Sequence, residues 1–426
     1  MHETRDWIVL QIDYGVPFWS KPPLSTWLSA LSFDLLGVNE FASRLPSFII
    51  AMLLIYLIAK FFREESISFY VPAFILLTIP EYLIHAGVTS TDSALLLSIS
   101  LTMLSFWKAI NSDKKSFWAY LFFVGIGLGL LAKGPIIIIL TAPPIFIWCT
   151  LDYRNRFKLI WQKLPWILGI IISLLIAVPW YYLVEKETPG YIDYFIVGEH
   201  FKRFTESGWS GDKYGFAKTQ PLGIVWIFLL GFGFPWIEIV LFVLWKKRKS
   251  FMKDRWVSFL ILWLFWTPFF FTFSKSLIHT YILPCSVPIA LLIMHYWKEE
   301  KNWVKISSIF PIATILAFLV LLFSGQKEEL MNTDKYLLSR QQLSTSNSNI
   351  PLYYWSDISY SGRFYSNGKA IRIYNLKELD SVFDMNKPLY LMIENKSVKE
   401  VPQRIHDRIK LVDGHKKRGL YTRIAE

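Results

Sequence analysis

The feature that most limits what this chain can fold into is a succession of long apolar stretches whose connections are alternately rich and poor in basic residues. Crossing roughly 30 Å of hydrocarbon takes about 20 helical residues, fewer inside a packed bundle, and by that criterion roughly ten stretches qualify. They lie near Leu45 to Phe61, Phe69 to Ile84, Ser93 to Trp107, Phe117 to Leu131, Pro135 to Cys149, Pro165 to Val184, Pro221 to Trp245, Trp256 to Phe273, Tyr281 to Trp297 and Trp303 to Phe323. Backbone polar groups inside a bilayer must be bonded within the protein, so these stretches predict an all-α polytopic membrane bundle. Composition agrees: 53% of the residues are hydrophobic and 17% aromatic, an excess over ordinary soluble usage.

Charge placement then predicts direction. Lys60 and Arg63, Lys108 with Lys114 and Lys115, Arg154 to Lys163, Lys246 to Arg255, and Lys298 to Lys305 all fall in connections of one parity, which the positive-inside rule assigns to the cytoplasm. The short turns "GVTSTD", "AKG" and "SKSLIHT" then face outward, as do residues 1–43, a large loop at 185–219 and everything after Ser324. The expected organisation is an extracytoplasmic segment 1–43 carrying an interfacial amphipathic helix, a transmembrane domain 44–323, and a small C-terminal α/β extracytoplasmic domain 324–426. Strands in that last domain are predicted at "LYYWSDI", "AIRIYNL" and "PLYLMIE". The formal charge of +12 belongs to a membrane protein's loops and does not argue for a nucleic-acid partner. Cys149 and Cys285 sit inside apolar runs and suggest neither a disulfide nor a zinc site. The opening "MHETRDWIVLQIDYG" is too polar to span and lacks a signal-peptide pattern, so a preceding helix outside this sequence is expected.

Polar residues at the ends of spans are costly without partners and point to function. On the predicted outer side these are Lys21, Arg44, Asp92, Lys133, Glu199, His200, Arg203, Lys275, His279 and Tyr281. A cation cluster at the water boundary suits a lipid phosphate, with Lys as point charge and Arg as planar fork, and a nearby acid suits general-base work. Structural readings stand beside each. Lys21 in "PFWSKPPLSTWLSAL" also suits an anchor for an interfacial helix, and Asp92 in "TSTDSALL" a helix N-cap. Lys133 in "LLAKGPIII" suits the head of a hairpin, and Glu199, His200 and Arg203 a solvated helix face. Tyr281 and His279 suit an interfacial aromatic belt.

Taken in order, "PFWSKPPLSTWLSALSFDLLGVNEFASRLPSF", "TSTDSALL", "LLAKGPIIIIL", "PWYYLVEKETPGYIDYFIVGEHFKRF" and "SKSLIHTYILPCSVPIALL" resemble the polyprenyl-phosphate-dependent GT-C glycosyltransferases. Within them the likeness is to the 4-amino-4-deoxy-L-arabinose transferase and dolichyl-phosphate-mannose protein mannosyltransferase superfamily, over Asp6 to about Leu292. The resemblance implies a GT-C bundle in the cytoplasmic membrane that moves a sugar, with inversion, from a polyprenyl (undecaprenyl) phosphate to a lipid or envelope-glycan acceptor on the outer face. It implies that Lys21, Arg203 and Tyr281 contact the carrier phosphate, with Asp92 near the reaction and Lys133, Glu199, His200, Lys275 and His279 as supporting polar groups. It also places the family's catalytic aspartate, in an Asp-Glu element after a first helix, upstream of "HETRDWIV", so that base is expected to lie outside this sequence. Asp92 or Asp13 would then be the substitute, or the chain an inactive truncated member. Ser20 stands where arabinose-transferase members carry a metal-linked glutamate, and Ser is a poor ligand for a hard cation, so no metal or other cofactor is expected. The rival reading, a transporter or flippase for a lipid-linked anion, would carry broken helices and repeated halves, and the sequence signals neither.

Overall fold

The computed structural model describes residues 1–61, 68, 70–112, 116–151, 153–206, 208–214, 219–249, 253–297, 309–323, 333–344 and 350–424. They fall into two compact units, Met1–Pro311 and Ile312–Glu426.

In the first unit a short hairpin, β1 (Gln11–Asp13) and β2 (Val16–Pro17), precedes fourteen α-helices among the described residues. These are α1 (Leu24–Leu36), α2 (Glu40–Phe61), α3 (Tyr70–Thr78), α4 (Pro80–Gly87), α5 (Thr91–Ile110), α6 (Phe117–Lys133) and α7 (Ile136–Thr150). They continue as α8 (Tyr153–Lys163), α9 (Trp166–Glu187), α10 (Arg203–Thr205), α11 (Ile224–Gly233), α12 (Trp236–Lys246), α13 (Arg255–Phe271) and α14 (Ser286–Tyr296). A π-helical segment, Asp193–Lys202, leads into α10, and a 3-10 segment, His279–Cys285, leads into α14. The 185–219 region is therefore largely helical among its described residues.

The stretches expected to span form helices of unequal length. Among the described residues, four helices, counting the 3-10 segment with α14, are long and apolar enough to cross a bilayer, or up to six if each bent pair is one span; α1, α6, α7 and α13 are apolar but shorter. Two stretches read as continuous are in fact bent pairs, α3 with α4 at 91° and α11 with α12 at 102°. Both breaks fall at a proline, Pro80 and Pro235, which has no N–H to continue the ladder. The stretch from Trp303 lies partly outside the described residues, the remainder forming helix Ile309–Phe323.

Helix burial separates centre from rim. α5 is 78% buried over its apolar window and α9 only 28%, so α5 is central and α9 peripheral. The exposed face of α9 presents Ile167, Leu168, Ile171 and Leu175, which suits contact with lipid tails. Hydroxyls inside α5 bond back to the preceding turn, Ser98 Oγ to the Ala94 carbonyl and Thr102 Oγ1 to the Ser98 carbonyl, both at 2.8 Å.

The alternating glycines of "VGIGLGLL" make α6 the hub. A Cβ on Gly125 would lie 2.4 Å from Thr102 Oγ1 of α5, one on Gly127 3.0 Å from Ile176 of α9, and one on Gly129 2.4 Å from Ile137 of α7. Small residues permit this close approach of backbones. Gly125→Ala is accordingly expected to destabilise the protein by about 1–3 kcal/mol, the usual cost of overpacking. Thermal unfolding in detergent checks this, with Gly231→Ala as control, since a Cβ there meets nothing within 4 Å.

The second unit holds a five-stranded sheet in the order β4-β3-β5-β7-β6: β3 (Leu352–Trp355), β4 (Ile371–Ile373), β5 (Tyr390–Glu394), β6 (Ile409–Gly414) and β7 (Arg418–Arg423). β3 runs parallel to β4 and β5, and β7 antiparallel to β5 and β6. Along β5, Leu391 and Ile393 enter one core and Tyr390 and Met392 the other, the period-two alternation of a sheet covered on both faces.

Candidate functional site

Four separate parts of the first unit present charge to one cavity of about 800 Å³, counting its open mouth. Lys21 comes from the turn before α1, where the Trp19 N–H donates to Tyr214 Oη at 2.8 Å, and Tyr191 Oη donates to the Lys21 carbonyl at 3.3 Å. These bonds tie the lysine's backbone into the 188–214 region. Asp92 stands in the first turn of α5 and Lys133 in the last turn of α6. Gly134, at φ +76°, ends α6, and its missing Cβ leaves room for the Phe195 and His200 rings of the π-helix above it.

The π-helix carries Glu199 and His200 and delivers Arg203 just beyond its end. Its wider turn is a device often found at functional sites. The His200 ring joins this segment to α6, with Nδ1 2.8 Å from the Phe195 carbonyl and Nε2 3.0 Å from the Lys133 carbonyl. Burial holds the His200 pKa below its usual value. Tyr281 comes from the 3-10 segment, its ring against Phe271 and 4.8 Å from Lys133 Nζ.

The charges are unevenly paired. Lys133 forms an ion pair with Asp92, and Arg203 Nη1 donates to Glu199 at 2.7 Å. Lys21 has no ion pair or hydrogen bond from its ammonium among the described residues, so the cavity's three cations exceed its two carboxylates. Burial, with the Lys133 charge adding to it, pushes the Lys21 pKa down to about 8. Around it, Ser20 Oγ, Arg203 Nε and Thr280 Oγ1 are buried polar atoms without a hydrogen-bond partner. Such atoms ordinarily find one. Leu95, Ile136, Ile139, Leu140, Phe204 and Phe270 form the apolar remainder of the wall. The arrangement can hold an anion attached to a hydrocarbon chain.

The structural readings are revised in two places. Ser90, not Asp92, is the N-cap of α5, its hydroxyl accepting from the Asp92 N–H at 3.0 Å, while the Asp92 carboxylate turns to Lys133. Glu199 is in a buried ion pair, not on a solvated face. Lys21, Asp92, Lys133, Glu199, His200, Arg203 and Tyr281 are brought together. Lys275 and Arg44 are exposed, and neither they, Asp13 nor His279 line the cavity. His279 instead meets Glu81 of α4, a residue the sequence reading passed over although an acid inside an apolar stretch is itself a signal. Ser20, a poor ligand for a hard cation, places its hydroxyl among the unpartnered polar atoms of the cavity, which its position in the sequence does not signal. Among the described residues no group of three or more His, Cys, Asp or Glu side chains is placed to hold a metal.

Comparison with known proteins places this geometry in context. The family model described as dolichyl-phosphate-mannose-protein mannosyltransferase matches residues 1–195. An undecaprenyl phosphate-alpha-4-amino-4-deoxy-L-arabinose arabinosyl transferase of Pseudomonas savastanoi pv. phaseolicola is 28% identical over 77% of this chain and 61% of its own length. One of Wigglesworthia glossinidia brevipalpis is 30% identical over 75% of this chain and 58% of its own length. The chain thus spans little more than half the length of these curated relatives. In fold, it is similar to the crystal structure of ArnT from Cupriavidus metallidurans bound to undecaprenyl phosphate, with a TM-score of 0.76 at 16% identity, covering 100% of this chain and 92% of that one. The apo form gives 0.72 at 16% identity, covering 100% and 91%.

Proposed function

We propose that this chain, which belongs to the GT-C superfamily of membrane glycosyltransferases, takes a sugar from a polyprenyl phosphate and transfers it to a lipid or envelope-glycan acceptor. On this reading it works at the outer face of the cytoplasmic membrane, the carrier being undecaprenyl phosphate as in the names of its relatives. The observation that carries the reading is the unpaired Lys21 ammonium, set among unpartnered Ser20, Arg203 and Thr280 donors beside an apolar wall. Phosphate oxygens satisfy those donors, and the prenyl chain lies along the apolar residues.

The chemistry follows from where charge develops. An acceptor oxygen attacks the anomeric carbon from the face opposite the phosphate, the new C–O bond forms, and the bond from that carbon to the phosphate oxygen breaks. The departing carrier phosphate gains a negative charge, which Lys21 and Arg203 are placed to neutralise without reorganising. The proton of an acceptor hydroxyl passes to Asp92, whose carboxylate Lys133 orients. No step draws on a metal or other cofactor.

Binding of undecaprenyl phosphate to the purified chain in nanodiscs tests the reading. Because Lys21 must be protonated to hold the anion, affinity is expected to be steady between about pH 7 and 8 and then to weaken by up to about tenfold per unit. The sign for the unliganded protein is opposite: a lysine with a depressed folded-state pKa makes the unfolded chain the better proton binder above pH 8, so stability rises there. A Lys21→Met protein that weakened above pH 8 like the parent would exclude Lys21 as the source.

A further inference from the structure

A second cluster of titratable groups lies beside the cavity without lining it. Glu81, in the first turn of α4, has a fully buried side chain at 0% exposure. His279 Nδ1 donates to both its carboxylate oxygens, at 3.1 and 2.9 Å, and His85 Nδ1 lies 3.3 Å from Oε1 and 3.1 Å from the Glu81 carbonyl. A buried carboxylate is strongly disfavoured unless paired, and replacing such a pair by apolar groups often stabilises a protein. Stability alone therefore gives little reason for an acid at this depth in "LLTIPEYLIHAG".

The reason lies in what His279 carries. It is the first residue of the 3-10 segment, and Tyr281 is two residues further on. With three residues per turn, side chains two apart point about 120° from one another. A segment gripped at His279 thus has the direction of Tyr281 fixed. The grip has two parts: the bond to Glu81, and the stacking of the His279 ring on Phe232 of α11, at 4.5 Å between centroids and 11° between planes. Glu81 stands just after the bend at Pro80, so the break between α3 and α4 is what turns an acid toward the 3-10 segment. On the far side of the same short segment, Tyr281 meets Lys133, which is paired with Asp92.

We infer that Glu81 is a positioning residue, which through His279 sets the direction of Tyr281 into the cavity. The functional consequence rests on the proposed function and on the contact of Tyr281 with the carrier phosphate that the family resemblance implies, whereas the clamp itself does not. Two substitutions at 279 separate its parts. His279→Phe keeps a ring to stack on Phe232 and removes the donor, while His279→Asn keeps a nitrogen donor near the place of Nδ1 and removes the ring.

The first measurement needs no ligand. With 3-fluorotyrosine at position 281 of the full chain in nanodiscs, the fluorine resonance is expected to shift or broaden in Glu81→Ala and His279→Phe and to return toward the parental position in His279→Asn. An unchanged resonance in properly folded Glu81→Ala and His279→Phe overturns the clamp. The second measurement is undecaprenyl phosphate affinity. His279→Phe is expected to lower it about tenfold, the scale of losing a hydrogen bond to a charged group, and to have no further effect once Tyr281→Phe is present. Full additivity of the two changes shows that His279 does not act through Tyr281 and overturns the inference. If the parent chain binds no undecaprenyl phosphate, the functional reading falls and the fluorine spectra still decide the clamp.

Discussion

Lys21→Met is expected to lower undecaprenyl phosphate affinity between about tenfold and 150-fold at pH 7, the range for a hydrogen bond to a charged group, and to lower sugar transfer by at least as much. The physical ground is the pairing pattern: Lys133 and Arg203 each form an ion pair with a carboxylate, and among the described residues Lys21 forms none. Its positive charge is therefore the one the cavity has not neutralised. The same substitution is expected to raise the thermal stability of the unliganded protein, because methionine keeps the length of the stem and removes a desolvated ammonium. Stability and binding should thus move in opposite directions, a trade-off expected at a site shaped for a ligand. Lys21→Arg should recover part of the affinity, since charge is restored with a different geometry. Calorimetry or fluorescence titration with undecaprenyl phosphate, together with thermal unfolding, reads both effects. A Lys21→Met protein with parental affinity removes the phosphate assignment.

Asp92→Asn should separate two roles. Breaking a fully buried ion pair costs roughly 3–5 kcal/mol, and less is expected here because each partner keeps 16% exposure. Lys133→Met in the same background should restore most of that stability, since it removes the stranded charge. Phosphate binding should be retained in the single variant, because the cavity has lost a negative charge. Transfer to a hydroxyl acceptor should fall by about a hundredfold or more, the scale of losing a general base, and the second substitution should not restore it. If transfer instead tracked phosphate affinity across these variants, Asp92 would act only by holding Lys133.

The signals the chain displays openly are those of solvent and charge. Hydrocarbon demands bonded backbone, and a bundle of apolar helices followed from that requirement before any contact was known. The motif order also picked out Lys21, Arg203 and Tyr281 from far-separated segments, and all of them line one cavity. Misreadings arose where one side chain had two possible neighbours. Asp92 has the right position for a cap, but Ser90 took the backbone N–H and left the carboxylate to Lys133. His279 belongs to the same outer turn as the cavity residues, yet its ring points to Glu81, 198 residues away in sequence.

By itself, then, the sequence determined the membrane environment, the helical class and the residue types able to hold a lipid phosphate, because these depend on composition, local pattern and charge. The tertiary structure decided which cations remain uncompensated, which helices bend, and how Glu81 reaches Tyr281 through His279. Ion pairing and burial are properties of neighbours brought together by packing, and the order of residues along a chain does not fix who those neighbours are.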